Sequence, residues 1–195
     1  MVGTGWAVCL LVLFVGAAGC GQAPDEVAVI QTSIGDIVVA FHGDVPGHVD
    51  NFKKLARQGF YDGTAFHRVK PGGLIQGGCP NTRGSDRSND GIGGPGYTLP
   101  AEFGHKHIRG AVAAARLPDE ANPNRESSGS QFYICLKPAP HLDNGYTVFG
   151  YVVEGLDVAL QASQVHRDER DNPLRRVAIN TVSIEQRELK YRRRR

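Results

Sequence analysis

Residues 66–78 read Phe66-His67-Arg68-Val69-Lys70-Pro71-Gly72-Gly73-Leu74-Ile75-Gln76-Gly77-Gly78. Two short β-like runs, Ala65 to Val69 and Leu74 to Gln76, are separated by Pro-Gly-Gly, which punctuates a chain rather than continuing a helix. Working outward, Val27–Thr32 and Gly35–Phe41 are β-rich and joined by Ser33-Ile34, a hairpin pattern. Further β-like runs are Ala111–Ala115, Gln131–Leu136, Thr147–Val153 and Val177–Ile184. The run at 111–115 is rich in Ala, a helix former, but Gly110 and Pro118 leave too little room for a stable helix, so a buried strand is expected. From Pro46 to Gln58, Val49, Phe52, Leu55 and Ala56 recur at helical spacing, with Asp44 near the entrance and Gly59 at the exit. A second short helix is expected over Glu154–Ser163, packing Leu156, Val158 or Ala159, and Leu160 on the strands. Many short strands, two helices and long Gly/Pro loops predict a mainly β fold, a closed or nearly closed antiparallel barrel capped by helices.

The 195 residues suffice for one domain. With 41% hydrophobic and 22% charged residues, the chain is neither disordered nor a multi-span membrane protein. The formal net charge is +2, but Lys190–Arg195 holds five of the positives; the remaining 17 basic residues face 20 acidic ones. A nucleic-acid-binding surface is not expected on such a body.

Residues 1–22 carry no charged side chain, and Trp6–Val15 is almost wholly apolar. This reads as an export segment. Ala17-Ala18-Gly19-Cys20 resembles the cleavage box of bacterial lipoproteins, which implies that Cys20 becomes a lipidated N-terminus. The other reading is an uncleaved spanning helix, for which Gly16, Gly19 and Gly21 make a poor end. The expected organisation is a leader over 1–19, a linker over 20–26, one domain over 27–186 and a basic tail over 187–195. The tail either touches anionic headgroups beside the anchor or is solvated. Cys79 and Cys135 are left in the domain, as one disulfide or as two separate thiols.

Several chemistries lack support. Gly91, Gly93 and Gly96 fit Gly-x-Gly-x-x-Gly, but Tyr97-Thr98-Leu99-Pro100 follows instead of a helix, so no phosphate cradle is expected. His105 and His107 form an isolated pair with no evident cluster to complete a metal site, and read as exposed loop histidines. Ser130 with His141 and Asp143 lacks the Gly-x-Ser-x-Gly elbow of a hydrolase. Neither metal nor cofactor is expected.

Phe66-His67-Arg68-Val69, Pro71 to Gly78, Gly94-Pro95-Gly96-Tyr97, Gly129-Ser130-Gln131-Phe132-Tyr133-Ile134, His141-Leu142-Asp143 and Thr147-Val148-Phe149-Gly150 follow one another in order. Together they resemble the cyclophilin family of peptidyl-prolyl isomerases, over roughly Val27 to Ile184. The resemblance implies a closed eight-stranded antiparallel β-barrel capped by two α-helices, with an active groove on its outer face. It also implies catalysis of rotation about X-Pro amides, a barrier of about 18–20 kcal/mol. Twisting the amide localises the lone pair of the prolyl nitrogen, so a fixed cation donating to it favours the twisted state. By resemblance Arg68 is that donor and Gln76 holds it.

The substrate contacts implied in the same way are Phe66, His67, Leu74, Ala115, Arg116, Gln131, Tyr133, His141, Leu142 and Tyr146. Ala115 and Arg116 correspond to a segment whose backbone pairs with the peptide, Gln131 to a residue bonding that peptide's backbone, and Tyr133 to a pocket wall that is usually Phe. Phe132 is expected in the core, and His67 as a support for its neighbour. Gly73 stands where the family usually has a Phe against the proline ring, a loss on the order of 1–3 kcal/mol of apolar contact unless Leu74 fills the space. His141 stands where some members have Trp, and Tyr146 matches a frequent His. The loop Leu117–Ser127 looks long and either shapes partner choice or is solvated. The expected protein is an exported, membrane-anchored monomer of the cell envelope that assists folding of proline-containing polypeptides. The rival is a catalytically weak proline-binding chaperone or scaffold with the same fold.

Overall fold

The computed structural model describes residues 25–189 together with Met1; the leader, Cys20, most of the linker and residues 190–195 lie outside the described residues. In chain order the elements are β1 (Asp25–Thr32), β2 (Gly35–Phe41), α1 (Pro46–Arg57), β3 (Thr64–Phe66), β4 (Arg68–Lys70), β5 (Leu74–Gly77), β6 (Thr98–Leu99), β7 (Ala111–Ala114), β8 (Ser127–Ser128), β9 (Phe132–Cys135), β10 (Val148–Glu154), α2 (Leu156–Ser163) and β11 (Val177–Arg187). Among the described residues, no helix is long and apolar enough to cross a membrane.

The main sheet has nine strands in the order β3-β11-β1-β2-β10-β7-β9-β5-β4, and every pairing is antiparallel. Its two edge strands, β3 and β4, are separated in sequence by His67 alone, so the sheet curls until its ends meet at that residue. This corrects the expected strand count of eight. The run Ala65–Val69 is not one strand: β3 pairs with β11, β4 pairs with β5, and the break falls where the His67 N–H donates to Gln76 O. A separate pair, β6 with β8, joins two-residue segments too short to carry a strand signal in the sequence. Strand β1 takes in two residues ahead of the β-rich run that starts at Val27, because Asp25 and Glu26 pair with Arg187 and Gln186.

Alternation along the strands sorts side chains between the barrel interior and its outer face. Ala28, Ile30, Ile37, Val39, Val112, Ala114, Phe132, Ile134 and Phe149 share the interior cluster with Val49, Phe52 and Leu55 of α1 and Ala159 and Ala162 of α2. The Phe132 ring meets those of Phe52, Tyr61 and Phe66 edge-on. Phe132→Ala should therefore cost about 3–5 kcal/mol of stability. The Ala-rich run is a strand as expected, buried on both faces, where only small side chains fit.

Helix α1 begins at Pro46, which needs no N–H partner there. Asp44 does not cap it. Glu102, 54 residues on from His48, accepts from the N–H groups of Gly47 and His48 and supplies the negative charge that the helix's first turn lacks. Helix α2 starts two residues later than expected because Glu154 ends β10 and Gly155 turns the chain at φ 77°. A Cβ at Gly155 would lie 2.0 Å from Asp36 O, so glycine is required there.

Candidate active site

The register of three strand pairings builds the site. Arg68 on β4 lies opposite Gln76 on β5, Gln76 opposite Tyr133 on β9, and Tyr133 opposite Ala113 on β7. One row of outward-facing positions thus runs from a guanidinium through an amide to an aromatic ring and a small residue. A parallel row sets Lys70 opposite Leu74 and Leu74 opposite Cys135. Around these rows an outer apolar cluster forms from Ala111, Ala113, Ala115, Tyr133, Cys135 and Val148, with Leu74, Leu142 and Tyr146 packed against it.

At the polar end, a directed chain of hydrogen bonds fixes Arg68. Gln131 Nε2 donates to the carbonyls of Gly91 and Gly93 at 2.7 and 2.8 Å, which turns its Oε1 toward Gln76. Gln76 Nε2 donates to that oxygen at 3.1 Å, which turns Gln76 Oε1 toward Arg68, where Nη1 donates at 3.4 Å. Each amide has one orientation that satisfies both neighbours. The loop carbonyls are themselves placed by Cys79, whose buried Sγ accepts from the N–H groups of Gly91 and Gly93 at 3.3 Å. On the other flank Asp171 lies 4.0 Å from Arg68 Nε, 3.6 Å from Lys70 Nζ and 3.1 Å from Arg167 Nε. Because three cations share this carboxylate, it orients Arg68 without neutralising it. The Arg68 side chain stays 42% exposed, open to a ligand.

At the apolar end, Tyr133 is buried and its hydroxyl has a partner. His107 Nε2 lies 2.9 Å from Tyr133 Oη, and His107 Nδ1 lies 2.9 Å from Asp143 Oδ1, which also accepts from the His107 backbone N–H. Burial lowers the His107 pKa below the usual histidine value, and the His107 backbone and ring hold the Asp143 carboxyl below its own. The consistent state is a neutral imidazole donating from Nδ1 to Asp143 and accepting the Tyr133 proton at Nε2. The phenol's polar end is thereby turned to His107, and its ring packs in the outer apolar cluster. Tyr146 meets that ring edge-on at 5.9 Å, and the Arg116 guanidinium lies 4.6 Å over Tyr146 while donating to Gly145 O. Burial pushes the Cys135 thiol up to about 12, so it is a packing group here.

Leu74, Ala115, Tyr133, Leu142 and Tyr146 are thus brought together, with Arg116 over Tyr146 and with Gln76 and Arg68 following Tyr133 along the strand register. His141 is exposed on a short turn, Pro140–Leu142, beside Leu142. Phe66 is a correction: strand alternation points it into the barrel, where it is 1% exposed in the inner core, and it does not line the groove. His67 is also buried, its ring edge against Gly91, and neither ring nitrogen makes a well-formed hydrogen bond. The Gln131 amide is committed to the loop and to Gln76, and the Ala115 N–H and C=O are taken by Gln131 O and Ser128 N–H. His107 is not an exposed loop histidine but is 2% exposed. Ser130 donates to Gly78 O and makes no triad. The two cysteines are free thiols. Sequence reading missed His107, Asp143 and Asp171 as supports; the one available signal was a pocket tyrosine whose buried hydroxyl demands a partner.

A family model described as cyclophilin type peptidyl-prolyl cis-trans isomerase/CLD matches residues 27–184. A peptidyl-prolyl cis-trans isomerase B from Bacillus subtilis is 46% identical over 121 residues, 60% of this chain and 76% of that protein. A probable peptidyl-prolyl cis-trans isomerase from Brucella abortus is 39% identical over 160 residues, 77% of this chain and 79% of its own length. A Cryptosporidium parvum cyclophilin-type isomerase, crystallised in the presence of the dipeptide Ala-Pro, superposes with a TM-score of 0.72 at 26% identity, covering 82% of this chain and 99% of that one.

Proposed function

The chain belongs to the cyclophilin-type peptidyl-prolyl cis-trans isomerases, and from that premise we propose that Arg68 is its catalytic residue and that it serves exported proteins. As an isomerase it needs neither a nucleophile nor a metal. Proline enters the outer cluster between Tyr133, Leu74, Leu142 and Tyr146, with its amide nitrogen toward the groove mouth. There Arg68 donates to the nitrogen as it pyramidalises, an interaction the planar ground state offers weakly and the twisted state strongly. Gln76 and Gln131 position that charge, so little reorganisation is left for the reaction itself.

The observation that supports catalysis over mere proline binding is the directed chain from the Gly91 and Gly93 carbonyls through Gln131 and Gln76 to Arg68. A binding module would have no use for a guanidinium held so deliberately beside an apolar pocket. The peptide backbone runs past Arg116, whose neighbour Ala115 is already paired within the protein. The apolar leader and Ala17-Ala18-Gly19-Cys20 favour export and a lipid anchor at Cys20 on the envelope, with clients drawn from newly exported chains.

The test is refolding of a protein limited by a slow prolyl phase. The full chain should accelerate that phase catalytically and Arg68→Ala should not; binding of the unfolded client by both without acceleration would make the protein a scaffold. Incorporation of labelled lipid that is lost in Cys20→Ser tests the anchor, and labelling that persists in that variant refutes it.

A further inference from the structure

Away from the residues assigned to the reaction, two imidazoles and a carboxylate converge. His42 follows the last residue of β2, and its N–H is held by Phe149 O at 3.0 Å. Asp44 lies two residues on, before α1. His105 arrives from the 100–110 loop, which is pinned on both sides of it: Glu102 grips the start of α1 and takes its own N–H partner from Thr147, and His107 is clamped by Asp143 and Tyr133. The position of His105 is therefore set by the fold.

The His42 and His105 rings stack with centroids 3.6 Å apart and planes 9° from parallel, while His105 Nε2 lies 2.8 Å from Asp44 Oδ1. One ring nitrogen of each histidine and one Asp44 oxygen all fall within 4.8 Å of one another. The three groups come from two segments that the fold brings together, and two imidazole nitrogens with one carboxylate oxygen form the donor set that borderline divalent ions prefer over Mg²⁺ or Ca²⁺.

We propose that His42, Asp44 and His105 bind one zinc-class divalent ion, with solvent completing a tetrahedral shell. Metal–ligand bonds of about 2.0–2.2 Å place such ligands closer together than they now stand, with lone pairs aimed at a common point. The rings reach that geometry by tilting out of their stack, a side-chain motion that leaves the backbone in place. Asp44, whose side chain is 74% exposed, swings with little constraint. The bound ion would tie the β2–α1 connection to the loop that carries His107, and hence to the support of Tyr133.

The test is calorimetric titration of Zn²⁺ into the full chain, free of any histidine tag, alongside His105→Ala, Asp44→Asn and His166→Ala. The expected result is one Zn²⁺ per chain, unaffected by excess Mg²⁺. Loss of a ligand should exceed the roughly 10–100-fold that loss of a supporting partner costs, so His105→Ala should weaken affinity by on the order of 100-fold or more. Asp44→Asn should weaken it clearly, and His166→Ala, outside the cluster, should not. Because Asp44 is so exposed, its variant folds even if the histidine variant does not, and metal-free melting curves check both. No Zn²⁺ uptake by the wild type, uptake unchanged in both cluster variants, or displacement of Zn²⁺ by Mg²⁺ would each overturn the site.

Discussion

The two ends of the groove are built on different principles. The polar end is held by side chains that face one another through strand register, Arg68 against Gln76 and Gln76 beside Gln131, and the chain of bonds terminates on loop carbonyls. The apolar end is made by Leu74, Tyr133, Leu142 and Tyr146 packed in the outer cluster, and its wall depends on a distant loop that brings His107 to Tyr133. The first end is rigid because each amide has one satisfactory orientation; the second is adaptable because apolar packing tolerates substitution while volume is kept. Catalytic electrostatics demands the former and proline binding needs only the latter.

Cutting the polar chain in the middle should have the larger effect on rate. Gln131→Leu removes the acceptor for Gln76 and both loop bonds, freeing Arg68 to wander. Since a hydrogen bond to a charged group is worth about 1.5–3 kcal/mol, kcat should fall by about 10–100-fold with peptide affinity little changed, as measured by exchange NMR over a peptide titration. An equal loss of affinity would mean that Gln131 holds the peptide more than it holds Arg68.

The apolar wall should respond in stability. His107→Leu leaves the buried Tyr133 hydroxyl without its acceptor, a cost of about 1–3 kcal/mol in denaturant unfolding. Adding Tyr133→Phe should recover part of that cost, because the unsatisfied group is then gone. Simple additivity of the two substitutions would show that the His107–Tyr133 bond contributes nothing.

Acid should weaken the fold through its histidines. Burial lowers the folded-state pKa values of His42, His48, His67 and His107, so the unfolded chain binds more protons as pH falls below the free value of about 6.5. Their stabilising contribution is complete above that value and is lost as pH falls through the folded values, down to about 4 for His42. Unfolding free energy measured from pH 7 to pH 4.5 should decline throughout, and a flat profile would contradict the burial of these rings. The smallest effect is expected at Gly73. A Cβ there would lie 3.2 Å from Lys70 Cβ, so the neighbour must shift slightly before Gly73→Phe can cover the pocket. Peptide affinity should rise by no more than about tenfold, or 1.4 kcal/mol, and a fall would mean that Leu74 already occupies the space.

Most of the barrel was legible because its strands alternate or are short buried runs bounded by Gly and Pro. The split of Ala65–Val69 was not, since nothing in those five residues marks where hydrogen bonding passes from one neighbour to another. β6 and β8 were invisible for a related reason: strands of two residues carry no periodicity. At the site, Arg68, Gln76, Leu74 and Tyr133 could be named because adjacent motifs carry them. Phe66 was misassigned because a motif does not say which face of a strand a residue takes. Asp171, His107 and Asp143 come from loops far apart in sequence and are joined by tertiary contacts alone. His105 likewise looked isolated until the fold set it beside His42 and Asp44.

If a positioned guanidinium supplies the catalysis, removing it should abolish turnover and spare binding. The most direct measurement is cis/trans exchange of a short X-Pro peptide by NMR, with catalytic amounts of the full chain and of Arg68→Ala, and no coupled protease. Fast exchange is expected with the wild type and a loss of about 10²–10³ in kcat with the variant, while both bind the peptide with similar affinity. Equal exchange by the two proteins, or a loss of binding that accounts for the whole loss of rate, would contradict it.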